Sequence, residues 1–343
     1  MSQDLIQSRI DYRDFKEVLR ELKRIYSKRN VIEYTLLGEP ILSPYPVFKF
    51  GGRVIRGCRL TPDRLKYLDP IPHSKRVLAL DASLKVLFNC GAFKIIVSKI
   101  AWGIWRGFQC ERTGVLPVKI KIIWDKREAS EWLLRIELEA ALKLLSQMRF
   151  GDYLLMDRGL AISPILGRYV KNLFNRLDIF SSAKGVVLIG ITKSSQLKLN
   201  TGESLLGYLT YLARQRMKDC AWFYHPIFKS STLPSWFIGD MVVARLSDDD
   251  ENVFRVDVSR RVLNRLPLGN IMGELAFMQD PATPGYPYPL KSVHDASRFT
   301  EEELERLANI FLEILEEKGL SPNFTADVRS TSFKERYLWG ITL

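Results

Sequence analysis

Paired cysteines, long apolar runs and acidic charge are all scarce in this sequence, and each shortage removes a class of function. The four cysteines, Cys58, Cys90, Cys110 and Cys220, lie far apart and form no CxxC or CxxxxC spacing. Local spacing therefore offers neither a zinc site nor a redox couple, and they read as ordinary thiols of a reducing interior. No segment stays apolar for the ~18 residues that a membrane span needs. The first residues, MSQDLIQSRIDYRDFKEVLRELKRI, carry charges throughout, where a signal peptide needs an uninterrupted apolar stretch. A cytoplasmic location is the expectation. Histidine is limited to three residues, and neither an internal repeat nor a long low-complexity linker is visible.

Asp and Glu number 39 against 51 Lys and Arg, which leaves a formal charge of +12. That excess favours a polyanionic partner, nucleic acid before any other. A membrane surface is the alternative polyanion. The basic residues are nevertheless spread along the whole chain and not gathered into one amphipathic helix or juxtamembrane cluster. With 343 residues and 46% hydrophobic composition the chain can bury a real core. One main domain with appended elements is expected.

From about Tyr12 to Arg29, Phe15, Val18, Leu19, Leu22 and Ile25 recur at helical spacing. The following VIEYTLLGEPILSPYPVFKFGGRVIRGCRL reads as short strands and turns. Residues 1–74 thus form a helix and β extension, a candidate contact with a second copy of the chain. From Lys75 the composition changes. RVLALDASLKVLF, FKIIVSKIAWGIW and LPVKIKIIW read as three consecutive strands, then REASEWLLRIELEAALKLLSQM as a helix with its stripe at Leu134, Leu138, Ala141, Leu142 and Leu145. DYLLMD is a short strand, SPILGRYVKNLFNRL a helix with Pro164 in its first turn, and GVVLIGITK a buried strand. GESLLGYLTYLARQRM is helical, WFIGDMVVARL and NVFRVDVS form a hairpin around DDDEN, and an amphipathic helix with an acidic first turn runs from about Thr300 to Lys318. The pattern is a mixed α/β domain over 75–320, with 321–343 as a tail packing on it.

Asp81 ends the apolar run RVLAL, just before the small Ala82 and Ser83, so its carboxylate projects from the end of a central strand. An aspartate so placed is a cap, an ion-pair member or a metal ligand. Asp157 ends YLLM in the same way and is followed by Arg158 and Gly159. Two strand-end acids in one sheet suit a hard cation such as Mg²⁺ or Mn²⁺, the kind that serves phosphodiester hydrolysis. On the intervening helix Glu137 and Glu139 flank the apolar stripe, and either can supply a third ligand or stay a solvated surface charge. Lys193 ends GVVLIGITK and can hold a phosphate as a point charge or pair with Asp81 or Asp157. His294 follows GYPYPLKSV, whose Pro287 and Pro289 imply a stiff, extended lead-in; it can donate to phosphate, act as an acid or ligate Mn²⁺. His73 and His225 stand beside prolines without such a setting. Tyr286, Tyr288, Trp102 and Trp105 are conceivable stacking surfaces for unpaired bases, with core packing the better reading of the two tryptophans.

LALDAS, LRIELEAALKLL, YLLMDRGL, LIGITKSS and GYPYPLKSVH, in this order, resemble the NurA family of archaeal nucleases over about Lys75 to Lys318. The resemblance implies a ribonuclease H-like mixed β-sheet flanked by helices, a homodimer, and Mn²⁺- or Mg²⁺-dependent degradation of single-stranded DNA and resection of duplex ends from 5′ to 3′. The implied partner besides DNA is a hexameric translocase like HerA, in double-strand break repair. The implied ligands are Asp81, Glu139, Asp157 and His294, with Glu137 as the substitute for Glu139 and Lys193 as the strand-end lysine. Two departures stand out: Asp-Ala-Ser follows the first strand instead of Asp-Gly-Ser, and Asp-Arg-Gly stands at the second motif instead of Asp-Gly-Ser. Ala82 keeps a small side chain; Arg158 alters the substrate approach or contacts phosphate. The rival reading is a catalytically weak DNA-binding subunit that regulates a translocase.

Overall fold

The β-branched, apolar stretch after Lys75 folds into long paired strands, because such side chains pack well on a pleated surface. In chain order the elements are α1 (Tyr12–Ser27), β1 (Pro46–Phe50), β2 (Arg53–Arg56), β3 (Leu65–Tyr67), β4 (Arg76–Asn89), β5 (Lys94–Arg106), β6 (Gln109–Val115), β7 (Lys119–Ile123), α2 (Lys126–Leu144) and β8 (Tyr153–Met156). There follow α3 (Arg168–Lys184), β9 (Val187–Thr192), β10 (Lys198–Leu199), α4 (Leu205–Arg216), β11 (Trp222–Tyr224), β12 (Gly239–Arg245) and β13 (Phe254–Ser259). The chain ends through α5 (Arg260–Leu263), α6 (Leu268–Phe277), β14 (Gln279–Asp280), β15 (Thr283–Pro287), α7 (Tyr288–Ser297) and α8 (Glu301–Glu317). This computed structural model describes residues 12–27, 44–50, 53–162, 165–193, 195, 197–217, 220–249, 252–280, 282–321 and 323–328. Most of the tail expected over 321–343 lies outside the described residues.

One large mixed sheet runs in the order β3-β11-β12-β13-β9-β8-β4-β5-β6, with β7 also paired to β5. The centre is parallel, β4 beside β8 and β8 beside β9, and the flanks are antiparallel. The hairpin of β12 and β13 forms as expected. Where three strands were expected there are four. β6, QCERTGV, is almost wholly exposed and held at the edge by its ladder to β5, so it has no apolar signature to betray it. β3 lies on the extension side of the boundary expected at Lys75, yet it is the outer strand of the large sheet, against β11. β1 and β2 form a separate small sheet with β10. The helix expected to hold Pro164 in its first turn starts only at Arg168, capped by Gly167, and Pro164 lies outside the described residues.

Strand alternation sends neighbouring residues to opposite faces. Val77, Ala79, Leu155 and Ile189 pack with Ile271, Leu275, Leu290 and Val293 of α6 and α7. Leu78, Leu80, Leu154 and Met156 pack with Leu138 and Ala141 of α2 and Phe174 and Leu177 of α3. Gly190 at the middle of β9 is required by close approach: a Cβ there would stand 2.1 Å from the Arg158 carbonyl oxygen. α8 starts with a full capping box, Thr300 bonding the Glu303 amide and Glu303 reaching back to the Thr300 amide. No helix among the described residues is long and apolar enough to cross a membrane.

His73, wedged between the rings of Tyr153 and Phe277 at 5.7 Å from each, has both ring nitrogens buried and unpartnered among the described residues. Burial pushes its pKa below the ordinary histidine value, against the pull of Glu274. A depressed folded pKa means stability that is present above about pH 6.5 and lost as pH falls through the folded value. Urea midpoints should therefore fall between pH 7.5 and 5, and less steeply in His73→Phe; equal slopes for both proteins would contradict this role.

Candidate metal centre

Leu80 of β4 stands opposite Met156 of β8 in a parallel register. One residue further along, Asp81 and Asp157 come level on neighbouring strands, which lie about 4.8 Å apart. Both share the parity of Ala79 and Leu155, so both face the α7 side. α7 supplies the third group. Pro287 caps it and Pro289 sits in its first turn, where a missing N–H costs no helical bond. The extended backbone expected through Pro289 therefore ends at Pro287, and the next residues are helical. With Leu290 and Val293 anchored in the core, His294 is delivered to the sheet rim.

His294 Nδ1 lies 2.9 Å from Asp81 Oδ2 and 4.0 Å from Asp157 Oδ2. One potential ligand atom from each of Asp81, Asp157 and His294 falls within 4.8 Å of the other two. Two carboxylate oxygens and an imidazole nitrogen form a donor set that suits Mn²⁺, and Mg²⁺ through its oxygens. Ser297 and Ser83, which sequence reading missed, fasten α7 to β4. The Ser297 hydroxyl stands 3.0 Å from Asp81 Oδ2 and 2.9 Å from the His294 carbonyl, and the Ser83 hydroxyl donates to the Ser297 carbonyl. DASL and HDAS hold the only local signal for them, a small hydroxyl two or three residues after each ligand.

Lys193 extends from the end of β9 and pairs with Asp157, Nζ to Oδ2 2.8 Å, while lying 4.7 Å from the centre of the Tyr286 ring. The ring itself is buried against Phe254. Its hydroxyl is buried beside Asp157, and burial together with the charges of Asp157 and Asp81 pushes its pKa far up. A stacking surface for bases is therefore not what Tyr286 presents. Tyr288 is half-buried, packed edge-on against Trp105 and near Phe108. Trp105 is core, as expected, and Trp102 is partly buried in the layer below α2.

The helix glutamates exchange places with the expectation. Glu139 points away from the aspartates: Arg135 donates to it at 2.9 Å, the Tyr169 hydroxyl at 3.2 Å, and Lys119 lies 3.9 Å away. Glu137, two residues earlier and so about 200° round the helix, is 1% exposed and bonded by the Arg158 guanidinium. Burial raises its pKa to about 7, with Arg158 opposing and the charges of Asp81 and Asp157 adding to the rise. Arg158, one residue after Asp157, takes the opposite face and meets Glu137. The metal group is thus two carboxylates and one histidine with Lys193 at its rim, and the Glu137–Arg158 pair lies on the α2 side. Behind it, Arg255 grips Asp257 through both oxygens at 2.8 and 2.6 Å, and Asp257 Oδ2 accepts the Leu160 amide at 2.8 Å, fixing the turn after Asp157.

No protein-family model matches the sequence, and no curated protein matches it. Solved structures do. The crystal structure of the NurA nuclease from Sulfolobus solfataricus superposes with a TM-score of 0.52 at 16% identity, over 90% of this chain and 97% of that one. A NurA crystal structure with bound dAMP and manganese gives 0.51 at 10% identity, over 87% and 95%. Another NurA structure gives 0.50 at 10% identity, over 71% and 90%. The mixed sheet, its helices and the order in which they are connected give this chain the ribonuclease H-like fold of the NurA nuclease structures.

Proposed function

We propose that this protein is a metal-dependent deoxyribonuclease. The observation that carries the reading is the meeting of Asp81, Asp157 and His294, residues 76 and 137 positions apart along the chain, with ligand atoms inside 4.8 Å. A divalent ion held there, Mn²⁺ or Mg²⁺, would supply positive charge for a phosphodiester and lower the pKa of bound water. The chain's own groups do the rest. Lys193, exposed at the rim, is placed to take the non-bridging phosphate oxygens once it leaves Asp157. Asp81, itself held by the Ser297 hydroxyl, fixes the His294 ring. Glu139 has no part in this reading, and Arg158, Tyr286 and Tyr288 act as structural neighbours of the site instead of DNA contacts. The NurA structure with dAMP and manganese supports both the metal and the nucleotide.

A groove of about 660 Å³ lies along the small sheet, lined by residues that include Phe48, Lys49, Lys198, Asn200 and Arg255. The Arg255 guanidinium also lies against Gly159, two residues after Asp157. We take this groove as the path of a single strand. Removing one phosphate-binding lysine should lower the salt slope of binding by about 0.7. Lys49→Ala with Lys198→Ala should accordingly lower it by roughly 1.4 in anisotropy titrations; an unchanged slope would place the strand elsewhere.

The finer reading is a 5′ to 3′ exonuclease and single-strand endonuclease of end resection and double-strand break repair. It includes work in the cytoplasm as a homodimer beside a HerA-like hexameric ATPase, and rests on the NurA resemblance. The test of the coarse reading is release of nucleotides from end-labelled single-stranded DNA in the presence of Mn²⁺. Release that stops with a chelator supports it. DNA binding without release in Mn²⁺ or Mg²⁺ would favour a DNA-binding subunit that regulates a translocase.

A further inference from the structure

We propose that Arg158 is a built-in counter-cation for Glu137, so that this site takes one divalent ion, on Asp81, Asp157 and His294, and no second. The inference rests on the metal reading above and refines it.

Parity starts the argument. Asp157 faces α7, so the residue after it faces α2, where Glu137 is buried among Ile136, Leu138, Ala140 and Ala141. A buried carboxylate needs a partner, and Arg158 provides it through Nη2 to Oε2. The place of Arg158 is fixed from behind. Its carbonyl oxygen fits against Gly190, where even a single Cβ would collide, so its backbone is held close to β9. Glu137 Oε1 and Arg158 Nε are both buried without partners among the described residues. Opening the pair would take from each buried group its partner in the site. The count of charges agrees. Glu137 is matched by Arg158, and Asp81 and Asp157 beside Lys193 leave a single net negative charge that one divalent ion already overbalances. A second ion would have to displace the guanidinium from Glu137 in a region where like charges are weakly screened.

The test is Mn²⁺ stoichiometry of the full chain, read from the free-ion electron paramagnetic resonance signal during titration. The wild-type protein should bind one Mn²⁺. Arg158→Ala, which uncovers Glu137, should bind two. Glu137→Gln, which removes the buried negative charge and keeps a side-chain oxygen to accept from Arg158, should still bind one with affinity within about threefold of wild type. Two ions in the wild-type protein, one ion in Arg158→Ala, or loss of the ion in Glu137→Gln would each overturn the proposal while leaving the metal reading intact. Absence of any Mn²⁺ binding would remove both, and is told apart by Asp81→Ala then behaving as wild type.

Discussion

Asp81→Ala is expected to lower Mn²⁺-dependent cleavage of single-stranded DNA by about a thousandfold or more, with DNA binding in chelator unchanged. Asp81 offers one of the three clustered ligand atoms and also positions His294, so its loss removes a charge and loosens a second donor together. A change of about 4 kcal/mol in the barrier corresponds to that factor, and metal-borne charge stabilisation is worth several kcal/mol. Folding should hardly suffer. The carboxylate is partly exposed, and its protein bonds are to the adjacent Ala82 amide, Ser297 and His294. Glu139→Gln is the matched control: its partners are Arg135, Tyr169 and Lys119 on the far side of α2, and cleavage should stay within about twofold. Equal loss in both variants would mean that α2 carries the chemistry differently from the placement of these side chains.

Arg255→Ala should cost about 3–5 kcal/mol of stability, the usual penalty for leaving one member of a buried ion pair alone. Asp257 is 1% exposed, and without Arg255 it would keep only the Leu160 amide against its charge. Because that amide begins the chain segment after Gly159, the loss should also loosen the Asp157 end of β8. Replacing both partners by apolar residues, Arg255→Met with Asp257→Leu, should cost less than Arg255→Ala alone, since no stranded charge remains, though the Leu160 amide loses its acceptor. Urea midpoints of the two variants decide it. A shift of Arg255→Ala worth under about 1 kcal/mol would mean that water reaches Asp257.

Strand ends were the legible part of the site. An apolar run that stops at an acid has few physical outcomes, so Asp81 and Asp157 could be named from LALD and LLMD alone, and the parallel pairing then set them side by side. The helix glutamate was harder. Glu137 and Glu139 border the same stripe, and which of them is buried depends on how α2 is rotated over β4 and β8, a tertiary quantity that the 3.6-residue period does not contain. Tyr286 misled because proline-flanked aromatics read as an exposed loop, whereas Leu290 and Val293 pull the segment onto the sheet. The edge strand β6 had no apolar alternation to show. Arg158 was visible as a departure from Asp-Gly-Ser, yet its partner could be identified only once strand parity pointed it at α2.

The most direct measurement is anomalous scattering from a crystal soaked in Mn²⁺. A peak enclosed by Asp81, Asp157 and His294, with Glu137 still held by Arg158, is the expected result; ordered metal found only elsewhere, with those three side chains unchanged, would contradict the assignment of this rim as the catalytic centre.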